Sequence, residues 1–322
     1  MQLLSTPELS VVLATDTYAT IRPVVDRFRR QTIHDRIELI LIAPSADNVN
    51  GVFAHRDEFA AIQIVEDPVV DLAPARAAGI RAASAPYIFV GETHSYPHPE
   101  FAEALVRRLS ESWTAVAPAF GNANPNGPLS WAGFISDYGR WVEGTEAGEA
   151  SEFPIYNVCV RRDALLALGD RLGPALAHGD EWSVAFHSAG HRAYLEPGAR
   201  LDHVNVAPLG NWIRERILAG MLIANHRASR WSLARRIVYF FGSPLLPLVF
   251  IARVLPGVRR TVSAKNLPVS VLFWIAFGMT IKSMGEMVGY AGWPVDSAEK
   301  EMHEYEVHKL KYAGRMAHKE RS

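Results

Sequence analysis

An acidic residue and two histidines follow an apolar segment in the stretch "FVGETHSYPHPE" (Phe89–Glu100). Glu92 and His94 are two positions apart, and together they offer one carboxylate oxygen and one imidazole nitrogen as ligands. This donor set suits Mn²⁺ or another transition ion better than Ca²⁺, and it is compatible with Mg²⁺. The alternative is that both side chains only cap the next helix and contact solvent. We expect His98, between two prolines, to begin that helix.

Three short apolar segments are predicted to form the strands that position these residues: Leu9–Thr15, Ile37–Ala43 and Tyr87–Gly91. "IRPVVDRFRRQT" has helical spacing between the first two, and "PARAAGIRAAS" precedes the third. This alternation favours an α/β domain with a mainly parallel sheet and right-handed crossovers. Because ligands bind beyond the carboxyl ends of such strands, the polar residues that follow them should line one crevice.

The bulk composition limits the classes of function. The chain has 322 residues and a formal net charge of -1, so a strongly basic nucleic-acid surface is not expected. One cysteine excludes a disulfide framework and suits a reducing compartment. The start "MQLLSTPELS" lacks the basic and apolar regions of a signal peptide. We therefore expect the amino-terminal part to lie in the cytosol.

The composition changes after about Asn205, and we predict three regions: residues 1–208, 209–295 and 296–322. In the second region, "NWIRERILAGMLIANHRASRWSLARRI" combines arginines with tryptophans, as in a helix that lies in a membrane interface. The apolar stretches 237–254 and 267–281 are shorter than the ~20 residues of a straight span, so a hairpin or two marginal spans would fit. Flanking arginines favour the cytoplasmic side of the membrane. The alternative is a set of core helices or an oligomer interface, and the third region is a charged, helical tail.

Four segments between Leu9 and Asn205 resemble the family-2 glycosyltransferases, which have the GT-A fold. They are "SVVLATDTYATIRPVVDRFRRQT", "ARAAGIRAASAPYIFV", "NVCVRRDALLALG" and "GDEWSVAFHSAGHRAYLEPGARLDHVN". Each segment alone is a weak signal, but the four occur in the family's order. The resemblance implies a nucleotide-sugar donor and a divalent cation beside its diphosphate.

The resemblance also implies roles for residues near the metal. The family's Asp-x-Asp motif is replaced here by Glu92-Thr93-His94, so Glu92 and His94 would bind the metal or the donor. His203, at the end of a later strand-like segment, would complete the metal site or contact the diphosphate. A structural role for a lone histidine at a strand end is the alternative.

The nucleotide site follows from the same resemblance. Thr15 and Asp16 would contact the nucleoside, although both residue types also favour the N-cap of a helix. Arg76 would reach the donor, with a surface salt bridge as the alternative. The acid that often follows the family's second strand is replaced by Ala43-Pro44, which leaves the nucleotide open.

Asp180 and Glu181 match the acidic block of the family, just ahead of a predicted amphipathic helix. In an inverting enzyme, one of them would take the proton from the acceptor hydroxyl. The alternative is that they only stabilise the amino terminus of that helix.

Together, these expectations predict an inverting glycosyltransferase that acts on a glycan or lipid-linked acceptor at the cytoplasmic face of the membrane. The main alternative is a catalytically silent protein of the same fold that binds a sugar, a nucleotide or a protein partner. A hydrolase that uses Glu92 with Asp180 or Glu181 as a carboxylate pair is a weaker alternative.

Overall fold

The computed structural model of the protein describes residues 6–177 and 179–314, without the side chains of residues 180, 181, 250, 251, 253, 254 and 256. The described residues divide into two compact units. Unit 1 comprises the residues up to Gly121 together with Trp141–His203. Unit 2 comprises Asn122–Arg140 together with the residues from Val204 onward.

One mixed sheet organises unit 1. Within the described residues its strands are β1 (Leu9–Ala14), β2 (Ile37–Ala43), β3 (Ala61–Glu66), β4 (Tyr87–Val90), β5 (Ser95–Pro97), β6 (Ala115–Asn122), β7 (Gly148–Ala150), β8 (Val158–Arg161) and β9 (Ala193–His203). The strand order is β3-β2-β1-β4-β8-β6-β9-β5, and β7 pairs with β9.

Helices flank this sheet and also build unit 2. The helices of unit 1 are α1 (Tyr18–Phe28), α2 (Ala46–Val49), α3 (Leu72–Ala82), α4 (Phe101–Leu109), α6 (Arg162–Leu166), α7 (Leu172–Ala177) and α8 (Gly179–Ser188). The helices of unit 2 are α5 (Pro128–Tyr138), α9 (Leu209–Ala228), α10 (Leu233–Gly242), α11 (Leu246–Ala264), α12 (Ser270–Ala291) and α13 (Asp296–Val307).

The predicted parallel core of the sheet is confirmed. Strand β1 pairs in parallel with both β2 and β4, and β2 pairs in parallel with β3. Every residue of β1 and β2 is buried, as expected for strands that are covered on both faces. The carboxyl ends of β1, β2 and β4 therefore lie along one edge, where the sequence predicted a crevice.

The second half of the sheet is antiparallel. Strand β8 pairs with β4 and β6, and the short strand β5 pairs with the end of β9. This last pairing places Ser95 opposite His203. It brings the segment that follows β4 into contact with a strand more than a hundred positions later.

Close helix packing defines unit 2. Gly220 of α9 lies against the backbone of α12 at Lys282, and Gly285 and Gly289 of α12 lie against the backbone of α9. A side chain at any of these three glycines would collide with backbone atoms, because a Cβ would fall within 2.4 Å of a carbonyl oxygen. Helices α9 and α12 are thus the central pair of this unit.

The membrane-interface helix expected between residues 211 and 237 is not formed as predicted. Helix α9 ends at Ala228, and a separate helix, α10, begins at Leu233. Trp212 is 1% exposed, and the buried Arg216 donates to the Asp137 carboxylate at 2.8 and 2.6 Å. Paired arginines and a buried tryptophan make α9 a core helix of unit 2, as the alternative interpretation proposed.

The exposed apolar residues of unit 2 concentrate on α10, on the start of α11 and on part of α12. They include Leu233, Val238, Phe241, Leu245, Leu248, Val269 and Phe273, each at least 60% exposed. Helix α12 has the length and composition to cross a membrane, and 33% of its most apolar window is buried. It is the one such helix among the described residues. The tail predicted as helical forms α13 in its described part.

Candidate active site

The candidate site begins where β4 ends. Gly91 passes so close to Leu13 that a Cβ at this position would lie 2.6 Å from the leucine side chain. The next four residues, Glu92 to Ser95, are all buried, and the chain then enters β5. Helix α4 begins only at Phe101, so Glu92 and His94 do not cap it. A buried carboxylate and a buried imidazole at this sheet edge therefore need another explanation.

His203 joins Glu92 and His94 through the pairing of β5 with β9. The His94 and His203 Nε2 atoms are 3.1 Å apart, although the two residues are separated by 109 positions. Oε2 of Glu92 lies 3.5 Å from His94 Nε2 and 3.6 Å from His203 Nε2. The three side chains are 1–4% exposed. We call these three residues the Glu-His-His cluster.

The dimensions of this cluster fit a metal ion. Two ligand atoms bound to one ion at about 2.0–2.2 Å lie roughly 3 to 3.6 Å apart. The three separations in the cluster, from 3.1 to 3.6 Å, fall in this range. Two imidazoles and one carboxylate favour a transition ion such as Mn²⁺ over Ca²⁺. The cluster is a candidate site for a divalent cation, and the prediction of a divalent cofactor agrees with it.

Further side chains orient the ligands. Asn157 Nδ2 donates a hydrogen bond to Glu92 Oε2, and Ser95 Oγ donates to the same oxygen at 3.2 Å. Thr93 Oγ1 lies 3.3 Å from His94 Nδ1. When this imidazole donates from Nδ1, its Nε2 carries the lone pair that a metal ion binds. Asn157 and Ser95 thus hold the Glu92 carboxylate in place, and Thr93 offers a hydrogen-bond partner to Nδ1 of His94.

Backbone geometry places Asn157. Its φ of 57° lies in the left-handed region, which asparagine tolerates better than most residues, and its N–H donates to the Val90 carbonyl at 2.6 Å. This turn immediately precedes β8, the antiparallel neighbour of β4. Sequence reasoning missed both Asn157 and Ser95, because neither belongs to a short motif. The only local sign of this contact in the sequence was the short distance of Ser95 from Glu92, three positions along the chain.

The single cysteine is not part of the site chemistry. Cys159 is fully buried in β8, and burial raises the pKa of its thiol far above the usual value. A protonated thiol is neither a metal ligand nor a nucleophile. His98 also lies outside the cluster, where its Nε2 contacts the Asp202 carboxylate at 3.0 Å.

No protein-family model matches the sequence, and no curated protein matches it. The structure is similar to that of the mannosyltransferase PcManGT from Pyrobaculum calidifontis, solved in complex with GDP-Man and Mn²⁺. The match has a TM-score of 0.56 and 16% identity, and it covers 88% of this chain and 87% of that one. The chain has the GT-A fold.

Two further solved structures are more distant. GalNAc-T7, solved with UDP, GalNAc and Mn²⁺, matches with a TM-score of 0.48 and 15% identity over 64% of this chain. The match spans 45% of the GalNAc-T7 chain, less than half its length. TarS from S. aureus, in complex with UDP, matches with a TM-score of 0.47 and 13% identity over 89% of this chain and 92% of that one. The fold assignment does not depend on these two.

Thr15 and Asp16 follow β1 at the carboxyl edge of the GT-A sheet. Thr15 is fully buried, and its Oγ1 donates to the Thr17 carbonyl at 3.1 Å. The N-cap of α1 is Thr17, whose side chain accepts from the Thr20 N–H. Asp16 accepts from the Thr17 N–H at 2.8 Å but does not cap the helix. The capping alternative for Thr15 and Asp16 is therefore wrong, while their contact with a nucleoside stays a prediction.

Arg76 lies in α3 and is only 2% exposed. Its guanidinium stacks on the Tyr156 ring at 3.6 Å, and its Nε and Nη1 have no hydrogen-bond partner among the described residues. Tyr156 directly precedes Asn157, which binds Glu92. The surface salt bridge considered as an alternative is thus excluded. A buried cation with unpartnered donors is costly in the absence of an anion.

Asp180 and Glu181 lie within the first turn of α8, which begins at Gly179, and not ahead of the helix as predicted. Their side chains are outside the described part of the structure. Their role as the general base therefore stays a prediction.

Proposed function

We propose that the protein is an inverting glycosyltransferase that moves a sugar from a nucleotide-diphosphate donor to a glycan or lipid-linked acceptor. The observation that carries this proposal is the Glu-His-His cluster, which lies at the carboxyl edge of a GT-A sheet with ligand separations suited to one metal ion. PcManGT, the neighbour of the same fold, was solved with a nucleotide sugar and Mn²⁺. These two facts support a donor whose phosphates lie beside a divalent cation.

Each residue at the sheet edge receives a role in this proposal. Glu92, His94 and His203 would hold the divalent cation, which when bound neutralises the charge that develops on the diphosphate leaving group. Arg76 would donate from its unpartnered nitrogens to a donor phosphate oxygen. Thr15 and Asp16 would contact the nucleoside.

The inverting reaction would use one of the two acids of α8. The carboxylate of Asp180 or Glu181 takes the proton from the acceptor hydroxyl as its oxygen attacks the anomeric carbon. The bond from that carbon to the diphosphate oxygen breaks on the opposite face, and the nucleoside diphosphate leaves with the bonding electrons. The sugar ends attached to the acceptor with inverted configuration.

We place this reaction at the cytoplasmic face of a membrane. Large apolar side chains such as Phe241 of α10 and Leu245, just before α11, are 73% and 60% exposed, which is unusual for a surface that faces only water. Arg235 lies on the same helix α10 and stacks on Trp231 at 4.1 Å. Exposed apolar residues beside arginines and an aromatic residue are typical of interfacial membrane contact. The region 209–295 would then attach the protein to the membrane, and the region 296–322 would form a tail.

Thermal stabilisation by nucleotide sugars tests the proposed function. A ligand at about 100 times its Kd adds about 2.7 kcal/mol to the free energy of unfolding. We expect at least one UDP- or GDP-sugar to raise the Tm in the presence of Mn²⁺ but not with EDTA, and to be hydrolysed slowly. Binding without any turnover would favour the catalytically silent alternative. The absence of stabilisation by every nucleotide sugar would contradict the donor site itself.

Arg76→Met separates a ligand-binding role from a structural one. Hydrogen bonds to charged groups contribute about 1.5–3 kcal/mol, so we expect nucleoside diphosphate affinity to fall about 10- to 100-fold. In the absence of nucleotide, we expect the Tm to be unchanged or higher, because a buried charge with two unpartnered N–H groups is replaced by an apolar side chain. Arg81→Met, on the exposed side of the same helix, is the control. A lower Tm with unchanged nucleotide affinity would show that Arg76 is structural.

A further inference from the structure

A cavity lies between α11 and α12 within unit 2. Its volume is about 250 Å³, and its lining includes Leu255, Val258 and Arg259 from α11 and Leu272, Ile275 and Ala276 from α12. The residues of the Glu-His-His cluster all belong to unit 1. The roles proposed above do not use it.

The lining determines what the cavity can bind. Apart from Arg259, the described side chains around it carry no hydrogen-bonding group, so a sugar or a nucleotide would lose its hydrogen bonds to water without replacement. The volume is slightly below the ~300–1,000 Å³ of pockets for drug-sized molecules, so the cavity suits a small apolar group. An apolar chain is therefore the matching ligand.

A positive charge at the cavity indicates that the polar end of that ligand is an anion. Arg259 lines the cavity and is itself exposed, so its guanidinium can meet an anion in the surrounding water. Arginine binds phosphate oxygens through two parallel N–H donors. The combination of an apolar cavity and an arginine matches a molecule with a hydrocarbon chain and a phosphate head.

Exposed apolar side chains of α12 lie at the cavity. Phe273 lines it and is also 62% exposed, and Val269, one helical turn earlier, is 76% exposed. A hydrocarbon chain in the cavity could thus also contact these exposed apolar side chains.

We propose that this cavity binds the hydrocarbon chain of an anionic amphiphile, an acyl or isoprenoid chain that carries a phosphate, and that Arg259 pairs with the phosphate. The biological role of this site rests on the proposed function. In that function, the amphiphile is either the lipid-linked acceptor or a bilayer lipid that holds the enzyme at its acceptor. Its binding requires no nucleotide, so it can be measured independently of the donor site.

Calorimetry of the full chain with geranyl phosphate, geraniol and inorganic phosphate tests the site. We expect geranyl phosphate to bind at least tenfold more tightly than either part alone. Ala276→Phe, which fills the cavity, should lower this affinity at least tenfold, whereas Ala291→Phe at an exposed position of the same helix should not. Equal affinity in wild type and Ala276→Phe would overturn the proposal.

Arg259→Gln provides a second variant at an exposed position that is not expected to disturb folding. It should weaken geranyl phosphate binding about tenfold and leave geraniol binding unchanged, while Arg235→Gln on α10 should leave both unchanged. An equal loss for geranyl phosphate and geraniol, or no loss, would remove Arg259 from the site.

Vesicles of phosphatidylglycerol distinguish the two sources of the chain. If a bilayer lipid occupies the cavity, Ala276→Phe should reduce co-sedimentation with these vesicles, and if the acceptor occupies it, co-sedimentation should be unchanged while geranyl phosphate binding is lost. Both results support the cavity as a lipid site. If Ala276→Phe reduces neither co-sedimentation with vesicles nor geranyl phosphate binding, the cavity is not a lipid site. This result would leave the nucleotide-sugar test of the proposed function unaffected.

Discussion

Replacing Glu92 with glutamine should reduce the affinity for Mn²⁺, and for nucleoside diphosphate in the presence of Mn²⁺, by at least about 100-fold. Loss of a residue that merely orients a ligand lowers metal affinity about 10- to 100-fold, so loss of a ligand should reach or exceed the upper end of that range. Glu92 also supplies the only negative charge in the Glu-His-His cluster. Calorimetric titration with Mn²⁺, and with UDP and GDP at saturating Mn²⁺, measures both affinities.

Glu100→Gln is the matched control for this prediction. It makes the same chemical change in the same segment of the chain, at a position that is exposed. Because glutamine keeps the shape of the side chain and can still accept from Asn157, we expect the Tm of Glu92→Gln without metal to stay close to that of the wild type. If Glu92→Gln binds Mn²⁺ and nucleotide as the wild type does, the cluster is not the metal site.

The strands of the parallel core were predictable because each is a short, mostly apolar segment of the sequence. Mostly apolar segments such as Ile37–Ala43 are covered on both faces and match the observed strand at both ends. The edge strand β3 was missed, since its residues are only partly buried and alternate less clearly. Local hydrophobicity thus predicts the centre of this sheet better than its edge.

The candidate site was predictable in part. Glu92 and His94 follow a recognisable strand, and the resemblance to a known family pointed to His203. Asn157 could not be found in this way, because it is 65 positions from Glu92 and is positioned by a left-handed turn and by the pairing of β8 with β4. Such supporting contacts depend on strand pairing and leave no periodic pattern in the sequence.

The error at α9 has a physical origin. Arginines alternating with apolar residues are equally compatible with a membrane interface and with a buried helix whose charges are paired. Arg216 is paired with Asp137, 79 positions earlier, and Arg214 is paired with Glu301 in α13. A pattern within one helix cannot show partners that lie on other helices. The exposed apolar surface is instead carried by α10 and the start of α11.

Of the two acids in α8, one should prove essential for turnover. We expect either Glu181→Gln or Asp180→Asn to lower kcat for sugar transfer about 10²- to 10⁴-fold, the range for loss of a general base. Adjacent helix positions are about 100° apart around the axis, so a single base is expected rather than a pair. Affinity for the nucleotide sugar should change little, since the acid acts on the acceptor hydroxyl. Calorimetry and transfer assays on both variants separate the two quantities.

The competing interpretation of these acids predicts a different pair of measurements. If Asp180 and Glu181 only stabilise the amino terminus of α8, their neutral variants should lower the Tm and leave kcat unchanged. Asp170→Asn, an exposed acid earlier in unit 1, controls for the loss of one negative charge. A large loss of kcat at unchanged Tm in one variant identifies the base. Normal kcat in both variants would instead require the proton to be taken by a group outside α8, and the assignment of the acidic block would be wrong.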